Sequence, residues 1–222
     1  MTRKVPDGRW YYASTAKTIK LNLPIPHNEM LNEAKKLRDK FIEYRTDYGK
    51  GWYSLPIVGL ADDRPQAWTA FPEYSSGRDA APHYKWTSHS EHCPITVDWL
   101  TNIFPSSCYG RVRFMLLTAG GYIEPHNDQE LSIIEPINIA LNNPQDCVWH
   151  WNDYNETLIF QPGDVRAMNI SHRHSVINNS NEDRYHIIIH HFDSTPEWMQ
   201  LMEESLKEHN ETFERIYSSE LM

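Results

Sequence analysis

Apolar and polar positions follow a helical period near both ends of this chain and an alternating period through most of its second half. Residues 17–23, Lys-Thr-Ile-Lys-Leu-Asn-Leu, alternate as a half-buried strand that Pro24 and Pro26 close. Met30, Leu31, Ala34, Leu37, Phe41 and Ile42 then recur at helical spacing among Lys, Arg and Glu, and Asn28 is placed to cap the start. That stripe reads as core packing. Residues 74–94 are polar, rich in Ser, His and aromatic side chains, and without a period; they are expected to form a long surface loop. Residues 97–104 read as a short helix and 111–117 as an alternating strand.

Beyond Pro125 come short segments at 133–141, 148–151, 157–161, 164–170, 175–178 and 184–192. Turn residues separate them at Asn142-Asn143-Pro144, Asn152-Asp153, Pro162-Gly163 and Asn178-Asn179-Ser180. This is the rhythm of an antiparallel sandwich or barrel. Residues 196–217 close as a helix, with Pro196 in its first turn and Trp198, Leu201, Met202, Leu206 and Phe213 on one side. No segment repeats at a fixed period.

Length and charge narrow the classes. At 222 residues one sizeable core is the default. A single domain over 1–222 is expected, with 1–105 packing on a barrel core at 106–193 and a terminal helix at 194–222. The net charge of -9, with basic residues scattered, argues against nucleic acid and anionic lipid as partners. Met1 to Asp7 carry charge with no apolar stretch behind them, and no apolar run approaches the roughly 18 residues of a spanning helix. A soluble, cytoplasmic protein is expected. Cys93, Cys108 and Cys147 are odd in number and widely spaced, which indicates neither a disulfide framework nor a thiolate zinc site.

The candidate chemistry lies in four residues. A His-x-Asp triplet is weak by itself, because twelve His and thirteen Asp in 222 residues yield about 0.7 such triplets by chance. His27-x-Glu29, His89-x-Glu91 and His209-x-Glu211 imitate it. His27 and His209 fall in helix-like segments, where residues two apart point in different directions, and no strand leads into His89. His126-Asn127-Asp128 instead follows a strong strand and a Gly120-Gly121 turn, in extended chain where alternate residues share a face. Two imidazoles and a carboxylate on one face of an octahedron would hold Fe(II) with three positions open for an organic acid and dioxygen. The third ligand must come from a distant segment. His174 is the candidate, after the strand that Pro162-Gly163-Asp164 introduces, with His172 a neighbour having some claim. Arg184 opens the last strand on one face with His186 and Ile188; facing an apolar interior, it needs an anion, although a strand-edge salt bridge would explain it alone. His83, His89, His92 and Cys93 lack a partner motif and read as polar loop.

Together these residues make residues 109–192 resemble the catalytic barrel of the aspartyl/asparaginyl β-hydroxylase family of Fe(II)- and 2-oxoglutarate-dependent oxygenases. The shared pattern is Glu124-Pro125-His126-Asn127-Asp128, Gln161-Pro162-Gly163-Asp164, His174-Ser175-Val176 with Asn178, and Arg184 ten residues beyond His174. The resemblance implies a mainly β fold with flanking helices, a double-stranded β-helix (jelly-roll, cupin-like) barrel. It implies His126, Asp128 and His174 as iron ligands, and Arg184 as the partner of the distal carboxylate of 2-oxoglutarate. Dioxygen would be consumed, succinate and CO2 released, and an unactivated C–H hydroxylated. Two features depart from the pattern. The best-known animal members lack a carboxylate where Asp128 stands, so the chain is more similar to bacterial-type relatives with a full triad, including those that act on free amino acids such as proline. Where relatives often carry an Arg and a His two apart, this chain has Pro136 and Asn138; Asn138 is left to assist the co-substrate, with Arg113 or His186 filling in.

The substrate stays open among a free amino acid, a peptidyl residue and another small molecule. Trp149, His150 and Trp151 are placed on a barrel strand, with Trp151 a candidate beside the substrate, and Arg78, Arg111, Arg113 and Glu135 are candidates for charged contacts. Two rival classes are a cupin-type metalloenzyme without 2-oxoglutarate and a non-catalytic binding barrel.

Overall fold

A computed structural model of the chain describes residues 16–128, 134–192 and 195–220, the last of these by backbone alone beyond residue 208. The charged segment 1–7, the head of the strand expected from residue 133, and the side chains of His209, Glu211 and Phe213 lie outside the described residues. The helices are α1 (His27–Lys36), α2 (Gly77–Ala80), α3 (Pro94–Asn102) and α4 (Pro196–Glu220). The strands are β1 (Thr18–Lys20), β2 (Ile42–Glu43), β3 (Gly49–Gly59), β4 (Lys85–Trp86), β5 (Tyr109–His126), β6 (Ile137–Ala140), β7 (Cys147–Trp151), β8 (Glu156–Leu158), β9 (Val165–Met168), β10 (His174–Asn178) and β11 (Arg184–His191).

These strands form one curled antiparallel sheet in the order β1-β9-β6-β11-β5-β10-β7-β8, with β3 along the other side of β5. β5 is the hinge of that path. Its first half pairs with β11, Leu117 opposite Arg184, and its second half with β10, His126 opposite His174. The sheet therefore folds into two facing leaves, which is the jelly-roll arrangement.

Strand alternation decides what fills the space between the leaves. On β5, Val112, Phe114 and Leu116 pack outward with Tyr185, Ile187 and Ile189 of β11, under the helices that bring Met30, Trp99 and Trp198. Met115 and Leu117 point the other way, into a second cluster with Trp149, Trp151 and Val176 of the opposing leaf. The larger leaf is thus apolar on its outer face and free to carry polar side chains on its inner one. Glu33 of α1 ties the helices together: its buried carboxylate accepts from the Ile95 and Thr96 backbone N–H groups at 2.7 and 3.0 Å, at the start of α3.

Several sequence expectations change. The helix expected through Ile42 stops at Lys36; Phe41 is extended, because β2 must pair with β3 through Ile42 opposite Ser54. Asn28 lies inside α1, which has Pro26 at its cap position and no side-chain cap. Residues 74–94 are not a featureless loop but contain α2, β4 and single-turn helices, anchored where the buried Thr87 hydroxyl donates to the Pro56 carbonyl at 2.7 Å. Gly120-Gly121 is not a turn. The strand continues through it, because β3 accompanies β5 across the bend and Gly51 and Gly120 absorb the curvature at φ of +71° and +68°.

Gly51 and Gly120 are therefore expected to respond differently to alanine. A Cβ at Gly51 would lie 2.2 Å from the Thr118 hydroxyl oxygen, whereas at Gly120 it would meet nothing within 4 Å. Gly120→Ala should cost about 1 kcal/mol, the left-handed backbone term alone, and Gly51→Ala roughly 3 kcal/mol. Urea unfolding of both variants checks this, and equal losses would contradict it.

Candidate metal centre and its cavity

His126 ends β5 and His174 begins β10, directly across the ladder from it. The His126 Nδ1 lies 2.7 Å from the Glu124 carbonyl, and the His174 Nδ1 lies 2.9 Å from the His172 carbonyl. A carbonyl can only accept, so both Nδ1 atoms carry the proton and both Nε2 lone pairs point inward. Asp128 completes the group, its Oδ2 standing 3.5 Å from the His126 Nε2 and 3.7 Å from the His174 Nε2. The three donor atoms lie within 4.8 Å of one another, and the buried His126 Nε2 has no hydrogen-bond partner. Two imidazoles and a carboxylate converging in this way can hold one metal ion. Burial pushes the Asp128 pKa up, but the two facing imidazoles more than reverse this and hold it well below the usual carboxylate range.

The surroundings fix each donor. The Asp128 backbone N–H donates to the Ile170 carbonyl at 3.2 Å, and its Oδ1 accepts from the Arg45 Nη1 at 2.9 Å. Arg45 sits at φ 48° with its guanidinium 3.9 Å over the Tyr48 ring, whose edge meets His126. Trp149 stacks on His174 at 4.6 Å with the planes 4° apart. His172 is outside the group, 3.1 Å from the Tyr154 hydroxyl. Among the described residues no second cluster of three His, Cys, Asp or Glu donors occurs. The Cys93 thiol is pushed up to about 12 by burial and by Glu33.

The cluster opens on a cavity of about 590 Å³ between the leaves. Arg184 lines it, buried, with its Nε unpartnered and its Nη2 2.8 Å from the His186 Nδ1. Burial lowers the Arg184 pKa, and burial with the adjacent Arg184 charge drives His186 well below its usual value, so the ring is neutral. The same Nδ1 lies 2.7 Å from the Asn138 Oδ1. One ring nitrogen cannot accept from Arg184 and donate to Asn138 at once; with the Asn138 amide turned so that its nitrogen faces the ring, the two donors share the single Nδ1 lone pair. None of the ion pairs among the described residues involves Arg184.

Of the residues singled out from sequence, His126, Asp128, His174, Asn138, Arg113 and Arg184 line one cavity, while His186 stands behind Arg184 and Asn138. Trp151 does not line it; its ring meets His174 edge-on at 6.2 Å, and Trp149 on the same face of β7 takes the cavity position. Arg45, Tyr44, Trp52 and Gln66 also line the cavity and have no sequence signal, because they arrive from β3 and its flanking loops. No helix among the described residues is long and apolar enough to cross a membrane.

Comparison with known proteins bears on the same elements. No protein of curated function matches the sequence significantly. Among solved structures, a Pseudomonas putida prolyl-4-hydroxylase aligns over 84% of this chain and 98% of its own at 12% identity and a TM-score of 0.44. A Trichoplax adhaerens prolyl hydroxylase in complex with a hypoxia inducible factor peptide fragment aligns over 83% and 87% at 14% identity and 0.47. An oxidoreductase of the 2OG-Fe(II) oxygenase family from Burkholderia pseudomallei aligns over 84% and 91% at 17% identity and 0.45. The model of one sequence family, Aspartyl/Asparaginyl beta-hydroxylase, matches residues 27–193. That match reaches far upstream of the barrel segment 109–192 and takes in α1, β3 and the strands that carry the donor cluster. The chain belongs to the aspartyl/asparaginyl β-hydroxylase family, one of Fe(II)- and 2-oxoglutarate-dependent oxygenases.

Proposed function

We propose that His126, Asp128 and His174 hold Fe(II), and that Arg184 receives the distal carboxylate of 2-oxoglutarate with Asn138 assisting. The protein then hydroxylates an unactivated C–H of an amino acid, a peptidyl residue or a related small molecule, with succinate and CO2 as co-products. The observation that carries this reading is the convergence of two Nε2 lone pairs and one carboxylate oxygen within 4.8 Å in a cavity that also holds an uncompensated buried arginine. When bound, the iron supplies the activation of dioxygen, driven by oxidative decarboxylation of the 2-oxo acid.

The chain's own residues bind, orient and exclude water. Glu124 and His172 lend backbone carbonyls that fix the tautomer of each imidazole. Arg45 occupies one oxygen of Asp128, so the other faces the histidines and the carboxylate is presented through a single atom. His186, itself in contact with Asn138, holds the Arg184 guanidinium against the cavity wall, and Phe160 lies 5.9 Å from it. Trp149, Met168, Ile170 and Val176 give the cavity an apolar lining that keeps the reacting C–H away from bulk water.

Anaerobic addition of Fe(II) and then 2-oxoglutarate to the folded protein is expected to develop a metal-to-ligand charge-transfer band in the visible. Its absence in protein shown to be folded would sink the assignment. Arg184→Gln should weaken 2-oxoglutarate binding about 100-fold, the order expected for a lost charge-assisted carboxylate pair, while sparing metal affinity. Turnover that survives Arg184→Gln intact would favour a metalloenzyme of the same barrel that does not use 2-oxoglutarate. Arg45→Gln should lower metal affinity roughly 10- to 100-fold with the fold retained, as removal of an outer partner of a metal-binding carboxylate does. Calorimetric titration with Zn(II) or Mn(II) measures it, and unchanged affinity would show that Asp128 needs no such support.

A further inference from the structure

We infer that Arg111 and Arg113, with Tyr44 and Gln66 beside them, form a second anion-binding subsite in the cavity, which receives a carboxylate carried by the substrate. The inference rests on the reading of the iron centre and Arg184 given above.

Both arginines project from β5 into the cavity, two residues apart and so on one face of the strand. Arg113 is only 4% exposed, yet its Nε is unpartnered; its guanidinium has a long hydrogen bond to the Pro65 carbonyl at 3.4 Å and, like that of Arg111, a hydrogen bond to the Tyr44 hydroxyl. The Arg113 guanidinium sits 5.1 Å from the Tyr44 ring centroid. The Arg111 Nη2 is 3.3 Å from the His190 Nε2, and the Glu135 carboxylate stands 3.7 Å from the other ring nitrogen, His190 Nδ1. None of the ion pairs among the described residues involves Arg111 or Arg113. Burial and the Arg113 charge lower the Arg111 pKa to about 10, and burial and Arg111 lower His190 to about 4, so the ring accepts rather than repels.

Two like charges held side by side away from water are costly, and apolar residues would fill the same volume at less cost. An incoming anion removes the repulsion and meets the unpartnered Nε. Gln66 adds to the demand. It lies on the loop that Arg113 holds through Pro65, and its buried Oε1 position has no partner; whichever way the amide is turned, one polar atom there waits for a ligand.

This anion is not the co-substrate. Along β11, Arg184 faces Leu117 and Ile188 faces Arg113. Four residues of strand separate those rows by about 13 Å. A five-carbon diacid spans roughly 5–7 Å with C–C bonds near 1.5 Å. With one carboxylate at Arg184 and the 2-oxo acid end at the metal group, it has no third acidic group to offer, and Arg113 is left for a different molecule. The subsite is coupled to the metal group through sequence: Tyr44 backs Arg113, and the next residue, Arg45, holds Asp128. A cavity of about 590 Å³ suits a small molecule or one residue of a larger one, presented with its carboxylate toward β5.

Formate is the minimal probe, since it needs no knowledge of the rest of the substrate. The protein is loaded with Zn(II) and saturating 2-oxoglutarate, and melting temperature is followed against sodium formate, with sodium chloride at equal ionic strength as the reference. A saturable rise is expected for wild type, lost in Arg113→Gln and Arg111→Gln and retained in Arg184→Gln. Arg113→Lys and Arg111→Gln carry the same readout should Arg113→Gln fail to fold. In anion-free buffer Arg113→Gln should melt no lower than wild type, because it relieves the repulsion. No formate shift in wild type, or a shift that survives both β5 variants, overturns the subsite. Loss in Arg184→Gln alone overturns it too, by assigning the anion to the co-substrate end. A larger shift with inorganic phosphate than with formate replaces the carboxylate with a phosphorylated ligand. 2-Oxoglutarate affinity, measured in parallel, should fall in Arg184→Gln but stay within about twofold in Arg113→Gln; an equal fall in both merges the two sites and overturns the proposal. If wild type binds neither zinc nor 2-oxoglutarate while the formate shift and its loss persist, the iron reading fails and the subsite stands.

Discussion

One strand carries the architecture. β5 must pair with β11 over its first half and β10 over its second while β3 follows it throughout, and that threefold demand bends it and folds the sheet on itself. The bend decides where the chemistry sits. It places His126 at the end of one ladder, His174 opposite, and Arg111 and Arg113 on the cavity side of the other half. A straight continuation would leave the two halves in one flat sheet with no enclosed face between them.

Enclosure then sets the electrostatics. The cavity holds Arg184, Arg111 and Arg113 largely away from water, and among the described residues the carboxylate that joins them in the lining is Asp128, which Arg45 and the two histidines already engage. A folded chain with unmatched buried cations holds part of its stability in reserve for anions that it binds. The neutral rings of His186 and His190 fit the same logic: each sits beside an arginine, and burial with that charge keeps the proton off. They act as acceptors that orient the guanidinium groups without adding charge. Gln66, Arg113, His126, Trp149 and Arg184, each with a buried side-chain atom that has no hydrogen-bond partner, all line the cavity.

Legibility in the sequence followed local order. Short strands bounded by Asn, Pro and Gly turns were readable because each carries its own period and its own stops, and β6 to β11 all lie within or close to the expected segments. β3 was not readable. Its eleven residues are nearly all buried toward the end, with Pro56 among them, so neither alternation nor composition marks a strand; its pairing with β5 makes it one. Phe41 and Ile42 continued a helical pattern that the pairing of β2 with β3 overrode. Gly120-Gly121 has the composition of a turn, and only the neighbouring strand turns it into a bend.

The candidate site divides along the same line. Sequence alone determined the donor types, their order, and the ten-residue step from His174 to Arg184, because alternation along β5, β10 and β11 assigns each side chain to a face whatever the rest of the chain does. Tertiary structure decided which residues surround them: Arg45 on Asp128, Trp149 rather than Trp151 toward the cavity, Gln66 beside Arg113. Those contacts join residues 25 to 83 positions apart, and no local period encodes a partner at that distance; the packing of two leaves around a bent strand selects it.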